Sequence, residues 1–209
     1  MSVFLTFEGM DGSGKTTQMR LLAGLLRARG REVLETAEPG GTRIGMEIRR
    51  ILLDAANQEL GPTAEMLLYF ACRAQNVDEW ILPALAAGKI VISDRFTDST
   101  LVYQGCGRGL GAETVVTLDR IACRGLVPDL TLLIDIDAET SLARAHARNL
   151  SETNRETRMD EQSLEFHRRA YEAYHALAAR EPERFRVIDG RMGIEPMAAE
   201  IWKVVEPHV

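Results

Sequence analysis

The chain has 209 residues, of which 45% are hydrophobic and 27% charged, and its formal net charge at pH 7 is −6. This length suits one domain with a full hydrophobic core, and the composition is ordinary for a soluble globular protein. An acidic chain of this kind is not expected to coat nucleic acid or to bind an anionic membrane. Any phosphate site must therefore be a local basic pocket on an acidic body.

The cysteines and histidines indicate neither a disulfide framework nor a zinc site. Cys72, Cys106 and Cys123 are odd in number and show no C-x-x-C spacing, which favours a reduced, intracellular setting. The four histidines form no H-E-x-x-H motif and no cluster with cysteine. The N-terminus resembles a strand rather than a signal peptide, and no apolar run is long enough to span a bilayer. We therefore expect a cytoplasmic protein without zinc.

Apolar runs alternate with helical patterns along the whole chain. The predicted elements in chain order are a strand at 2–8, a helix that ends at Gly30, a strand at 31–36, a helix at 44–54, a long helix at about 63–87, strands at 89–94 and 129–137, helices at 138–148 and 161–180, a strand at 185–189 and a helix at 194–205. Pro83 is expected to kink the long helix. Ile48, Ile51 and Leu52 are expected to face the core.

Five strands that alternate with helices predict an α/β fold, in which helices cover both faces of a five-stranded parallel sheet. Repeats, low-complexity tracts and linkers are absent from the sequence, so residues 1–209 are expected to form a single domain. Together with the glycine-rich loop described next, this three-layer arrangement is typical of the P-loop NTPase fold.

The segment FEGMDGSGKTTQ, residues 7–18, fits the phosphate-loop pattern G-x-x-x-x-G-K-[ST] and lies between a predicted strand and a predicted helix. Its backbone N–H groups can form an anion nest, and the following helix adds its positive end. Lys15 can reach the terminal phosphates of ATP, and the Thr16 hydroxyl can bind Mg²⁺. The predicted ATP-binding residues are Gly9, Met10, Asp11, Gly12, Ser13, Gly14, Lys15, Thr16 and Thr17.

A magnesium site of this type also needs a carboxylate at the end of another buried strand. Asp94, at the end of KIVISD, fulfils this requirement. Asp135 and Asp137, at the end of LLIDID, are weaker candidates for the same position. Thr16 and Asp94 are therefore the predicted metal-binding residues.

A cationic clamp for a second anion would distinguish a small-molecule kinase from a nucleotide switch, and the guanine-reading N-K-x-D motif is absent from the sequence. Arg95 directly follows Asp94 at a strand end. Tyr69 and Arg73 are four residues apart and share one helix face, so together they could stack and grip a flat base. A core tyrosine and a solvent-facing arginine would give the same pattern, and Arg49 is equally ambiguous by itself.

The polar stretch ARAHARNLSETNRETR, residues 143–158, contains Arg144, Arg148, Arg155 and Arg158. It predicts a mobile lid at about 144–160 that closes over the transferred phosphoryl group and neutralises its charge. A solvated charged face would have the same composition.

Several motifs together resemble the bacterial thymidylate kinase (dTMP kinase) family. They are FEGMDGSGKTTQ, EPGGT at 38–42, GMEIRRILL at 45–53, LLYFACRAQ at 67–75, DRFTDSTLVYQGCGRGL at 94–110 and SLEFHRRAYEAY at 163–174. They occur in the family's order and cover nearly the whole chain. The combination of EPGGT with the DRF…S…YQG block is quite specific to this family among phosphate-loop kinases.

The resemblance implies phosphoryl transfer from ATP·Mg²⁺ to dTMP, a nucleoside-monophosphate-kinase core and a homodimer. It implies that Arg95 holds the dTMP phosphate with help from Arg49, and that Asp11 faces the 3′-hydroxyl of the sugar. The other substrate-binding residues that it implies are Glu38, Tyr69, Arg73, Ser99, Thr100, Tyr103 and Gln104.

Two departures from the family pattern concern the catalytic cations. Gly12 stands where some members carry an arginine, which shifts that role to the lid residues Arg148 and Arg158, alongside Lys15 and Arg95. The segment TRMDEQ at 157–162 leaves open which lid arginine reaches the phosphate. The alternatives are another nucleotide or deoxynucleoside kinase, or a P-loop ATPase that needs no acceptor.

Overall fold

Five parallel strands form the centre of the molecule, as the sequence predicts. The computed structural model describes residues 2–151 and 156–209. The strands lie in the order β2-β3-β1-β4-β5. Their bounds are Val3–Glu8 (β1), Val33–Ala37 (β2), Ile90–Asp94 (β3), Leu130–Asp135 (β4) and Phe185–Asp189 (β5). Because every pair is parallel, all carboxyl ends meet at one edge of the sheet.

Helices cover both faces of the sheet. They are α1 (Lys15–Ala28), α2 (Arg43–Leu53), α3 (Pro62–Asn76), α4 (Leu82–Ala86), α5 (Thr97–Thr100), α6 (Ala112–Cys123), α7 (Ala138–Ser151), α8 (Leu164–Arg180) and α9 (Ile194–Val205). Two π-helical segments, Val77–Ile81 and Leu101–Gly107, follow α3 and α5, and a short 3-10 helix, Glu206–His208, follows α9. Among the described residues, the helices lack the length and apolar character that crossing a membrane would require.

Alternate residues of the central strand enter two different core layers. Leu5 and Phe7 of β1 pack with residues of α1 and α9 on one face of the sheet. Phe4 packs on the other face with residues of α3 and α6, including Phe70 and Val115. Burial on both faces explains why the three central strands, β3, β1 and β4, appear in the sequence as nearly continuous apolar runs.

Among the expectations about helices, the one that places Ile51 toward the core is wrong. The long helix departs from α geometry in the π-helical segment Val77–Ile81, which precedes Pro83. Proline displaces the carbonyl four residues earlier, so the distortion falls in the preceding turn. In α2, Leu52 is buried and Ile48 half-buried, but Ile51 is 46% exposed. Hydrophobicity alone did not identify the buried face of this helix.

Candidate active site

A cleft of about 740 Å³ opens at the carboxyl edge of the sheet. The loop after β1 forms one wall, and the loop after β3 lies beside it because Phe7 of β1 is in register with Asp94 of β3. Residues of α2, α3 and α7 complete the lining. Two segments that are distant in sequence therefore meet in one cavity.

The loop after β1 has the backbone geometry that a phosphate loop requires. Gly9, Gly12 and Gly14 all have positive φ angles, of 130°, 72° and 97°. Gly9 also has no room for a side chain, because a Cβ would overlap the carbonyl of Ile134. Gly14 is directly followed by α1, so the helix N-terminus points its free N–H groups into the loop.

Lys15 is the first residue of α1 and is 5% exposed. Its ammonium group donates a hydrogen bond to the Met10 carbonyl at 2.7 Å and lies 3.5 Å from the Ser13 hydroxyl. Burial, aided by the nearby Arg95, lowers the pKa of Lys15 to about 8. The loop thus holds this ammonium group at the site where negative charge would bind.

Thr16 and Asp94 form the oxygen pair that the sequence predicts. The Thr16 hydroxyl donates to Asp94 Oδ2 at 2.5 Å, and both residues line the cleft. A hydroxyl and a carboxylate are hard oxygen ligands of the kind that Mg²⁺ prefers. Asp135 instead pairs with His175 at 2.9 Å, and Asp137 caps α7 by accepting from the Thr140 backbone N–H at 2.8 Å. Asp94 is therefore better placed than its two rivals.

Arg95 is fixed from three sides beside the phosphate loop. It donates to Asp11 Oδ1 at 2.9 Å and to the hydroxyls of Ser99 and Tyr174 at 3.0 Å each. Its backbone has a φ of 71°, in the left-handed region that is uncommon for a residue other than glycine. Burial alone would raise the pKa of Asp11, but Arg95 and Lys15 outweigh it and hold that pKa below its usual range.

Arg73 is a buried cleft residue rather than a solvent-facing one. Its Nε donates to Glu38 Oε2 at 2.5 Å, and its Nη2 donates to the Phe96 carbonyl and the Thr100 hydroxyl at 3.0 and 2.9 Å. Among the described residues its Nη1 has no hydrogen-bond partner. Burial raises the pKa of Glu38 despite this ion pair. A guanidinium group is thus held rigidly between Glu38 and α5.

Tyr69 lies half-buried in the cleft wall, four residues before Arg73. Burial raises the pKa of its hydroxyl above the usual value, so Tyr69 is a neutral ring in this environment. Gln104 is buried nearby and donates to Glu65 Oε1 at 2.8 Å. Tyr103 also lines the cleft, with the Arg95 guanidinium 5.2 Å from its ring centre. Flat rings and amides therefore line the part of the cleft that adjoins the two arginines.

Arg49 projects from α2 and connects three parts of the cleft wall. It donates to the Pro39 carbonyl at 2.8 Å and forms an ion pair with Glu156 at 2.7 Å. All three residues line the cleft. Arg49 is therefore a cleft residue, which the sequence alone left ambiguous.

The arginines of the predicted lid have different environments. Arg148 lines the cleft, is 42% exposed and pairs with Asp160 at 3.0 Å. Arg158 is 2% exposed, pairs with the fully buried Glu65 at 2.7 Å and donates to the Leu52 carbonyl. Arg155 and the rest of 152–155 lie outside the described residues. Arg158 is therefore buried against Glu65 and is not among the residues that line the cleft, and its catalytic role stays a prediction.

This geometry can be compared with proteins of known function. The family model described as thymidylate kinase matches residues 7–201 of the chain. The thymidylate kinase of Geobacter sulfurreducens is 51% identical over 206 residues, which are 98% of this chain and 97% of that protein.

The chain belongs to the thymidylate kinase family.

Other family members agree with this placement. The thymidylate kinase of Pelobacter propionicus is 51% identical over 202 residues, covering 96% of this chain and 92% of that protein. The crystal structure of thymidylate kinase from Ehrlichia chaffeensis matches with a TM-score of 0.79 and 33% identity, covering 98% of each chain. The α/β fold predicted from the sequence is thus that of a thymidylate kinase.

Most of the predicted site residues meet in the cleft of this family member. Those that line it are Asp11, Gly12, Gly14, Lys15, Thr16, Thr17, Glu38, Arg49, Tyr69, Arg73, Asp94, Arg95, Ser99, Thr100, Tyr103, Gln104 and Arg148. Gly9, Met10 and Ser13 belong to the same loop but are not among the lining residues. Met10 and Ser13 are buried, and each contacts Lys15.

Gly12 has a steric reason to be a glycine. It lies against α7, where a Cβ would come within 2.7 Å of Arg144 Cβ and 3.2 Å of the Ser141 carbonyl. Arg144 also donates to the Gly12 carbonyl at 3.3 Å. In this chain α7 therefore brings its own cation against the loop, in the space that a side chain at position 12 would need.

Several residues near the cleft were not predicted from the sequence. In the sequence, Glu8 ends a predicted strand and belongs to the FEGMDGSGKTTQ segment, and Tyr174 belongs to the SLEFHRRAYEAY motif, but neither pattern assigns a role to these two side chains. Both lie within hydrogen-bonding distance of the Arg95 cluster. Glu65 is a fully buried acceptor for Gln104 and for two arginines. A charged residue within a buried pattern was the one available signal for Glu8.

Proposed function

We propose that this chain transfers the γ-phosphoryl group of ATP to dTMP, which gives ADP and dTDP. The single observation that carries the proposal is the meeting of two anion-binding sets in one cleft. The phosphate loop with Lys15 forms the first set, and Arg95 with Arg73 forms the second. An ATPase without an acceptor would have no use for the second set, and membership of the thymidylate kinase family supports dTMP as the acceptor.

Charge neutralisation and positioning are the main tasks of the protein in this reaction. The acceptor phosphate is itself a nucleophile at neutral pH, so a general base is not required. The difficulty is to bring two anions together. Lys15 would hold the donor phosphates and Arg95 the acceptor phosphate, while Arg148 would reach the transferred group from α7.

Magnesium is part of the proposed mechanism. The Thr16 hydroxyl and the Asp94 carboxylate would hold it, and they already lie 2.5 Å apart at the end of the phosphate loop. When bound, the ion neutralises charge on the phosphate oxygens of ATP. Asp94 and Thr16 would then orient the donor toward the acceptor side of the cleft.

The acceptor nucleotide is proposed to bind between Arg95 and the ring-lined wall. Tyr69 would stack on thymine, and Gln104, Thr100 and Arg73 would contact the base. The remaining proposed substrate contacts are Asp11, Glu38, Arg49, Ser99 and Tyr103. The rigid pairing of Arg73 with Glu38 supports this arrangement, because a fixed guanidinium loses little entropy on binding.

A coupled assay of ADP release across nucleoside monophosphates tests the proposed function. We expect strong stimulation by dTMP and weak stimulation by CMP, AMP and GMP. Equal stimulation by another monophosphate would favour a different nucleotide kinase, and stimulation by a nucleoside alone would favour a deoxynucleoside kinase. ADP release without any acceptor would favour an ATPase and contradict the proposal.

The contact between Asp11 and the 3′-hydroxyl of dTMP can be isolated with a 3′-deoxy analogue. In the unsubstituted enzyme, loss of this hydroxyl should lower kcat/KM by about 10-fold or more, as expected for a hydrogen bond to a charged group. In Asp11→Ala, dTMP and the analogue should react alike. Since Asp11 also pairs with Arg95, the ratio between substrates is the informative quantity. An unchanged ratio in the variant would refute the sugar contact.

The two lid arginines should respond differently to substitution. Arg148→Ala should lower kcat by about 100-fold, because it removes a charge from the cleft, and should leave the unfolding midpoint nearly unchanged. Arg158→Met should instead lower the free energy of unfolding by about 3 kcal/mol, because Glu65 loses a buried partner. Steady-state kinetics and urea unfolding measure the two effects. The opposite pattern would restore Arg158 as the catalytic lid residue.

We further propose one domain over 1–209 with a lid at about 144–160, a homodimer and a cytoplasmic location. Exposed Leu67 on α3 and Ile121 on α6 offer apolar contact area for a second copy, and these helices pack together. The three cysteines are free thiols, which fits a reducing compartment. Light scattering should give twice the mass of one chain, and a monomer mass would reject the dimer.

A further inference from the structure

Glu8 is a fully buried carboxylate that lies one layer behind the proposed acceptor site. It ends β1 and is 0% exposed. Its Oε1 accepts from the Phe96 backbone N–H at 2.8 Å. Its Oε2 accepts from the hydroxyls of Ser99 at 2.6 Å and Tyr174 at 2.9 Å. A buried carboxylate with three donors is organised for a purpose beyond filling the core.

The two hydroxyls connect Glu8 to Arg95. Ser99 and Tyr174 each accept a hydrogen bond from Arg95 Nη1 at 3.0 Å. A hydroxyl has one proton to donate, and an ionised carboxylate can only accept. When both hydroxyl protons point to Glu8, both oxygens present lone pairs to the guanidinium. The charge of Glu8 thus sets the direction of the whole chain of hydrogen bonds.

The same carboxylate also fixes the backbone that carries Arg95. Phe96 follows Arg95, whose φ of 71° has to be held by its surroundings. The Glu8–Phe96 hydrogen bond holds the peptide immediately after this turn. Glu8 therefore constrains Arg95 at both ends, through the backbone and through the guanidinium group.

We propose that Glu8, acting through Ser99 and Tyr174, is a positioning residue that aims Arg95 at the phosphate of the acceptor nucleotide. This inference rests on the proposed kinase function. Glu8 itself touches neither substrate, so its effect should fall on the acceptor and leave the donor unaffected. Tyr174 is 166 residues from Glu8 along the chain, and its hydroxyl brings α8 into the acceptor site.

The surroundings of Glu8 bring the pKa of its carboxyl group close to 7. Burial and the neighbouring Asp98 raise the pKa of Glu8 to about 7, against the lowering effects of Arg95, Ser99 and the Phe96 N–H. Asp98 is itself paired with Arg184 at 2.6 Å. A protonated Glu8 would donate to a hydroxyl oxygen and compete there with Arg95. The hydrogen bonds that position the Arg95 guanidinium should therefore weaken as the pH falls below about 7.

Glu8→Gln and Tyr174→Phe are the variants that test this inference. An amide cannot accept from both hydroxyls and from the Phe96 N–H, so Glu8→Gln should raise the KM for dTMP about 10-fold and change the KM for ATP less than 2-fold. Tyr174→Phe keeps the ring that packs edge-on against Tyr103 at 6.1 Å, and it should raise the KM for dTMP about 3-fold. The double variant should be no worse than Glu8→Gln alone, because both residues act through one chain of hydrogen bonds.

A pH profile separates positioning from general loss of stability. The second ionisation of a phosphate ester lies near pH 6 and affects every enzyme form equally. The ratio of dTMP KM values for Glu8→Gln and the unsubstituted enzyme should therefore shrink toward 1 between pH 8 and pH 6. Three results would each overturn the inference. They are equal changes in the KM values for dTMP and for ATP, additive effects of the two substitutions on the KM for dTMP, and a ratio of dTMP KM values that does not depend on pH. If Glu8→Gln does not fold, Tyr174→Phe with the ATP control decides alone.

The outcome is distinguishable from failure of the proposed function. If the unsubstituted enzyme releases no ADP in response to dTMP, the kinase proposal itself fails. If that enzyme is active and Tyr174→Phe has an unchanged KM for dTMP, only the role of Glu8 is refuted.

Discussion

Arg95→Ala should lower kcat/KM for dTMP by about 1,000-fold or more, the range seen when an arginine that neutralises phosphoryl charge is removed. The loss has two physical causes. The acceptor phosphate loses its proposed cation, and Asp11 loses the partner that now lies 2.9 Å away. The unpaired carboxylate would then repel the incoming phosphate. Steady-state kinetics with dTMP as the varied substrate measures the effect.

Arg95→Lys is the matched control for this prediction. Lysine keeps the positive charge but cannot reach Asp11, Ser99 and Tyr174 at once, so it should recover only part of the activity. Neither variant changes the cost of the left-handed backbone, because alanine and lysine carry a Cβ as arginine does. ATP affinity should be nearly unchanged in both. Near-normal turnover of Arg95→Ala at saturating dTMP would remove Arg95 from the mechanism.

Lys15→Ala should lower kcat by about 100- to 1,000-fold, as for other groups that stabilise developing charge in a transition state. Lys15 is buried at the start of α1, where its ammonium group is held by the Met10 carbonyl. Its pKa of about 8 makes a second expectation possible. Because only the protonated amine carries charge, kcat/KM for ATP should fall as the pH rises above about 8.

Lys89→Ala provides the control for the lysine prediction. Lys89 precedes β3 at the opposite edge of the sheet and forms an exposed ion pair with Glu32. Its removal changes the net charge by the same amount without altering the cleft, so kinetics should stay within about 2-fold of normal. If Lys15→Ala behaved like Lys89→Ala, the phosphate loop would not serve the reaction.

The parts of the fold that depend on local pattern could be predicted from the sequence. All five strands were predicted from the sequence. The runs of β1, β3 and β4 are almost wholly apolar because these strands are buried on both faces of the sheet, whereas the edge strands β2 and β5 are partly exposed. The phosphate loop followed from the spacing of Gly9, Gly14 and Lys15. The position of Asp94 beside Thr16 followed from the rule that parallel strands end at one edge.

The parts that depend on partners from distant segments could not be predicted. Arg148 and Arg158 lie in the same polar stretch of the sequence. Only the fold shows that Arg158 forms an ion pair with Glu65. The burial of Arg73 similarly depends on Glu38, which lies 35 residues away in sequence. The role of Glu8 could not be predicted for the same reason, because its three hydrogen-bond donors come from the loop after β3, from α5 and from α8.

The most direct measurement follows the fate of the γ-phosphoryl group itself. ATP labelled at the γ-phosphate should be incubated with the protein, Mg²⁺ and dTMP, and the products separated. The label should appear in dTDP in a 1:1 ratio with ADP formed, and omission of dTMP should nearly abolish ADP formation. Label found as inorganic phosphate at the same rate with and without dTMP would contradict phosphoryl transfer between the two nucleotides.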